Sequence, residues 1–63
     1  MTFGEHMIQL RKEQDMKQCE LAKKAGISNS VIGYYEADKA VPTVYRAYDI
    51  ACALGVTLDD MMR

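Results

Sequence analysis

The sequence predicts an all-α fold of five short helices, and three kinds of signal point that way. Apolar residues recur at spacings of three and four along successive short stretches, the period of a helix with one buried face. Hydroxyl residues suited to capping helix starts stand ahead of these stretches at Thr2, Ser28, Thr43 and Thr57, and Glu5 and Asp60 follow the first and last of them by three residues as capping boxes. Glycines suited to stopping helices stand behind, at Gly26 and Gly55.

Taken in order, the first helix is expected from Phe3 to about Gln14, with Phe3, Met7 and Leu10 at i, i+4 and i+7 as its covering face and Ile8 off that stripe. Asp15 and Met16 make a short connector in which Met16 packs inward. The central stretch Gln18–Tyr35, QCELAKKAGISNSVIGYY, organises the rest of the chain. Leu21, Ala22 and Ala25 share one face of a second helix, with Ala22 small enough to let a neighbouring helix cross closely. Gly26 then supplies the positive φ of a quick turn, Ile27 is an apolar plug, and Ser28 caps a third helix running to about Glu36. In that helix Val31, Ile32 and Tyr35 point inward, while Ser28, Asn29, Ser30, Gly33 and Tyr34 point outward. After the loop ADKAV and Pro42, Thr43 opens a fourth helix from Val44 to Leu54 that is expected to bury Val44, Ala47, Ile50, Ala51 and Leu54. A last turn is expected from Leu58 to Met62.

Sixty-three residues, 49% apolar and 27% charged, make one folded domain over 1–63 with little room for a catalytic cleft. No apolar run approaches the ~18 residues of a membrane span and no signal-peptide pattern opens the chain, so no membrane partner and a cytoplasmic location are expected. Cys19 and Cys52 lack the paired spacing of a zinc site and His6 stands alone, so neither a metal nor a cofactor is expected. Net charge is −1, against the basic balance usual in nucleic-acid binders. The acidic excess lies beyond Arg46, so positive surface must come from local arrangement.

Gln18, Ala22, Gly26, Ile27, Ile32, Tyr35 and Glu36, at these spacings, resemble the helix-turn-helix of the phage repressor and Cro type, the XRE family. The likeness extends from Phe3 to Met62. It implies a five-helix, lambda-repressor-like domain that binds double-stranded DNA, with the third helix in the major groove. It also implies a partly buried ion pair between Arg11 and Glu36 that braces the first helix against the third. At Lys17 the sequence departs from the capping Ser or Thr usual in the family, which weakens the start of the second helix by about 1 kcal/mol unless another group caps it.

Within that resemblance, Gln18 at the head of its helix suits a phosphate clamp, and Asn29 is the candidate for reading adenine through a bidentate amide contact. Ser28 and Ser30 are weaker readers. Gly33 either allows close approach of DNA or is simply tolerated, at about 1 kcal/mol of helix propensity. Tyr34 suits a phosphate or a thymine methyl. Lys39 is the candidate loop contact to phosphate, with Lys17, Lys12 and Arg46 as weaker ones. Family members often carry Arg or Lys on this face, and none stands here. Tyr45, Tyr48, Val56, Leu58 and Met62 are left either to complete the core or to form a homodimer contact, with recognition helices about 34 Å apart on a palindromic site. The second functional class is a protein-interaction module of the same fold, for example an antitoxin-like partner, with weak or lost DNA binding. An enzyme is a distant third, because His6 lacks neighbours for metal or nucleophilic chemistry.

Overall fold

Local capping chemistry sets the helix limits in the computed structural model, which describes residues 2–61. The helices are α1 (Phe3–Glu13), α2 (Gln18–Ala25), α3 (Asn29–Glu36), α4 (Val44–Leu54) and α5 (Leu58–Met61). At the head of α1 the Thr2 hydroxyl accepts the Glu5 N–H at 3.1 Å and the Glu5 carboxylate accepts the Thr2 N–H at 3.0 Å. Thr57 and Asp60 make the same reciprocal pair ahead of α5, at 3.3 and 3.1 Å. Ser28 and Thr43 cap α3 and α4 through the N–H groups of Val31 and Arg46. Lys17 has no acceptor to offer α2, and the Glu20 carboxylate takes the Lys17 N–H instead at 3.3 Å. This half of a capping box offsets part of the lost hydroxyl cap.

Gly26 ends α2 at φ +70° and lets the Ile27 N–H return to the Ala22 carbonyl at 3.0 Å. The backbone thereby satisfies carbonyls that would otherwise lack partners, and the chain turns within two residues into α3. Ala22 and Ile27 are both buried, on either side of the turn, and α2 packs against α3.

Helix α2 packs against both α3 and α4, α1 lies across α3, and α5 closes on α4 and α1. Met7, Leu21, Ile32, Ile50, Leu54 and Met61 are fully enclosed at their meeting point, with Met16, Ala51 and Tyr35 around them. Phe3, Leu10 and Val31 pack on the rim, and Ile8 is half-buried. One apolar assignment changes. Val44 is 71% exposed, because the buried stripe of α4 begins at Ala47 and the first turn of the helix overhangs the core edge. Met61, not set apart in the sequence, is the enclosed methionine of α5, while Met62 lies outside the described residues.

Polar side chains tie the helices together where apolar contact ends. The Gln14 amide donates to the Leu54 carbonyl at the free end of α4. His6 Nδ1 meets the Met61 carbonyl at 3.3 Å, an acceptor that requires the ring nitrogen to carry its proton. Asp38, in the left-handed region at φ +58°, accepts the Thr2 hydroxyl at 2.7 Å and the Gly4 N–H at 3.1 Å, and so caps α1 from the loop that follows α3. Gly4 makes this approach possible: a Cβ there would meet the carbonyl oxygens of Tyr35 and Glu36, the latter at 2.6 Å.

Candidate nucleic-acid interface

The turn between α2 and α3 leaves one face of α3 outside the molecule. Ile32 and Tyr35 face the core and Val31 packs on its rim, so helical periodicity sends Ser28, Asn29, Ser30 and Tyr34 to the surface, where all four are exposed. Gly33 is half-buried among them, and a Cβ added to it would meet no atom within 4 Å. Nothing inside the chain therefore requires glycine at this position. The first turn of α3 carries no acid and the last no base. Its one ionisable carboxylate, Glu36, is buried and turned toward α1. The face is polar, short in side chain and uncharged, with a hydroxyl, an amide and a phenol available to an external partner.

Glu36 is the centre of a closed polar network. Arg11 Nε donates to one carboxylate oxygen at 2.9 Å and Arg11 Nη2 to the other at 3.2 Å, a bidentate pair in which the side chains are 14% and 5% exposed. The third arm of the guanidinium, Nη1, donates to the Met16 carbonyl at 2.9 Å. A buried carboxylate that lacked these donors would be strongly unfavourable, and with them it brings α1, the α1–α2 connector and α3 into one register. The partly buried ion pair implied by the family resemblance is thus present.

Gln18 sits at the first position of α2, half-buried, and its side chain points inward: Nε2 donates at 2.9 Å to Oε1 of Glu36, the oxygen that also accepts from Arg11 Nη2. The sequence carried no signal for this bond, which spans two helices. Lys39 is exposed and lies in the loop after α3, its N–H bonded to the Tyr34 carbonyl at 2.9 Å. Lys12, Lys17 and Arg46 are exposed as well. Asp38 and Gly4, which sequence reasoning passed over, fix the loop that bears Lys39. The available signal was a glycine in the first turn of a well-capped helix, where propensity disfavours it and a close backbone contact explains it.

Away from this face, the exposed large apolar side chains are Val41, Val44, Tyr45 and Tyr48 on the loop before α4 and on α4 itself. Val41 and Val44, with Phe3, Pro42, Ala47 and Leu58, line a shallow apolar depression. Cys19 and Cys52 are free and exposed. Among the described residues, no group of His, Cys, Asp and Glu is arranged to hold a metal ion, and no helix is long and apolar enough to cross a membrane.

Comparison with known proteins agrees with this geometry. A family model described as helix-turn-helix matches residues 7–61. The immunity repressor protein of Bacillus phage phi105 is 36% identical over 56 residues, which cover 89% of this chain and 39% of that protein. An uncharacterized HTH-type transcriptional regulator of Sinorhizobium fredii is 33% identical over 54 residues, 86% of this chain and 70% of that one. The chain thus spans well under half of the phage repressor's length. Among solved structures, the restriction-modification controller protein C.AhdI of Aeromonas hydrophila superposes with a TM-score of 0.91 at 24% identity, covering 94% of this chain and 89% of its own. The P22 c2 repressor, solved in complex with a synthetic operator, superposes with a TM-score of 0.90 at 26% identity, covering 97% and 92%. The five-helix arrangement, the glycine turn between α2 and α3 and the extent of the family match together place this chain in the helix-turn-helix family of the phage repressor and Cro type.

Proposed function

We propose that this protein is a sequence-specific regulator of transcription that binds double-stranded DNA, reading the major groove with α3 as a homodimer on an inverted repeat. The observation that carries the reading is the outward face of α3. Ser28, Asn29, Ser30, Gly33 and Tyr34 contribute little to the core, and no charge on that face must stay hydrated. A helix of this kind fits the major groove, whose base edges present donors, acceptors and thymine methyls to short polar side chains. The P22 c2 repressor, similar over nearly the whole chain, binds operator DNA. Asn29 would read adenine, while Gln18 and Lys39 would position the domain on phosphates. Operator occupancy would act sterically on polymerase.

Selection of bound duplexes from a random pool tests this reading. An enriched inverted repeat whose half-sites lie about one helical turn apart is the expected result. No enrichment would overturn it in favour of the protein-interaction module, for which the net charge of −1 and the exposed Tyr45 and Tyr48 speak.

A further inference from the structure

We propose that Glu36, held by Arg11, is a positioning residue that presents the Gln18 amide to a DNA phosphate. The inference rests on the DNA-binding reading above and names how one of its contacts is prepared. Gln18 is assigned there to phosphate, yet its amide nitrogen is engaged inside the protein with Glu36 at 2.9 Å. The two roles are compatible because a primary amide carries two N–H groups, and Glu36 takes one of them.

The network also decides which end of the amide faces where. An ionised carboxylate only accepts hydrogen bonds, so the nitrogen of Gln18, and not its oxygen, must turn toward Glu36. Glu36 cannot swing away, since both its oxygens are held by Arg11 at 2.9 and 3.2 Å, and Arg11 is itself held by the Met16 carbonyl at 2.9 Å. The side chain of Glu36 is 5% exposed, whereas Gln18 is half-buried. The chain of bonds therefore starts in the interior and ends at the surface on the remaining Gln18 N–H. A free glutamine would have to give up rotamer freedom on meeting a phosphate, and here that ordering is already present in the folded protein. The bidentate Arg11 also offsets the negative charge that Glu36 would otherwise direct at an incoming phosphodiester.

A double-mutant cycle on duplex affinity tests the proposal, using the wild-type chain, Gln18→Ala, Glu36→Gln and the double variant. Gln18→Ala should weaken binding about tenfold in the wild-type background and have almost no effect in the Glu36→Gln background. Any general change that Glu36→Gln makes to surface charge cancels in the cycle. Equal losses in both backgrounds, or no loss from Gln18→Ala in the wild type, would overturn the proposal. Should Glu36→Gln fail to fold, side-chain NMR of the unaltered protein decides: one Gln18 amide proton should be protected from exchange before DNA is added, and the other should shift on binding. Two equivalent, freely exchanging amide protons, or no response to DNA, would overturn it. Wild-type protein that binds neither selected nor random duplex refutes the DNA-binding reading itself, and with it the proposal. Binding without coupling refutes the proposal alone.

Discussion

Asn29 and Gly33 stand one turn apart on the outward face of α3, and substitution should separate their roles. Asn29 is exposed and supports nothing in the core, so Asn29→Ala should leave thermal stability within about 0.5 kcal/mol of the parent. The same change should remove about 1 to 3 kcal/mol of discrimination between the preferred duplex and one altered at a single base pair, measured by competition. Gly33→Ala should act in the other direction on stability. With open space where the Cβ would go, alanine should strengthen the helix by up to about 1 kcal/mol and raise the melting temperature. If α3 lies as close to the groove floor as a bare backbone permits, the stabilised variant should also bind its selected duplex more weakly. A higher melting temperature with unchanged affinity would mean that the glycine is merely tolerated. One residue in the interior carries a larger effect. Glu36→Ala leaves Arg11 facing an empty, buried site and should cost about 3 to 5 kcal/mol in chemical denaturation, where an exposed pair would cost under about 1.

At the scale of the helices, α1 grips the far end of α3 twice: Arg11 holds Glu36, and the head of α1 holds Asp38 through Thr2 and Gly4. Gly4→Ala would drive a methyl group into the backbone of Tyr35 and Glu36, which has no flexible side-chain end to give way. The variant should unfold at least as readily as a core overpacking mutant, with a loss of about 1 to 3 kcal/mol. The capping box of α1 adds a pH dependence. The Thr2 backbone N–H holds the Glu5 carboxyl below its ordinary value. Its folded-state pKa is therefore depressed, so its contribution to stability is present above the unfolded value and lost as pH falls through the folded one. Glu5→Gln should flatten the acid end of the stability profile and leave the neutral region nearly unchanged, as thermal melts across the acid range would read. Helix limits were legible in the sequence because caps act within three residues: Thr2, Ser28, Thr43 and Gly55 each mark a boundary without help from the rest of the fold. What was not legible depends on residues brought together over 18 to 36 positions, such as Gln18 on Glu36 and Thr2 on Asp38. Val44 was misread for a related reason, since periodicity assigns a face to each residue but not where the neighbouring helix ends. Only for Arg11 and Glu36 did family resemblance reach a long-range pair that spacing alone could not.

For the whole molecule, the proposed DNA binding raises the question of how many copies of α3 would meet one site, and salt dependence gives a count that does not require the interface to be known. Affinity for B-DNA falls with salt at a logarithmic slope of about −0.9 for each phosphate neutralised. Lys39 is exposed on the loop fixed by Asp38 and belongs to no ion pair among the described residues, so if it meets a phosphate as proposed, its removal should change that slope without disturbing the core. If one copy binds, Lys39→Ala should make the slope shallower by about 0.9; if two bind a palindrome, the substitution counts twice and the change should be about 1.8. Exposed Val44, Tyr45 and Tyr48 on α4 favour two copies, because apolar surface of that size on so small a domain gains from being covered. A dimer formed there should weaken when Tyr45→Ser and Tyr48→Ser are combined, with sedimentation moving toward the monomer while the melting temperature of the monomer holds. The two measurements constrain each other. In the doubly substituted background at low concentration, the Lys39→Ala change should fall from about 1.8 to about 0.9, since the same contact is then lost once instead of twice. A value of about 0.9 already in the parent chain would mean that one copy suffices for the site, and the inverted-repeat reading would have to give way to a single half-site.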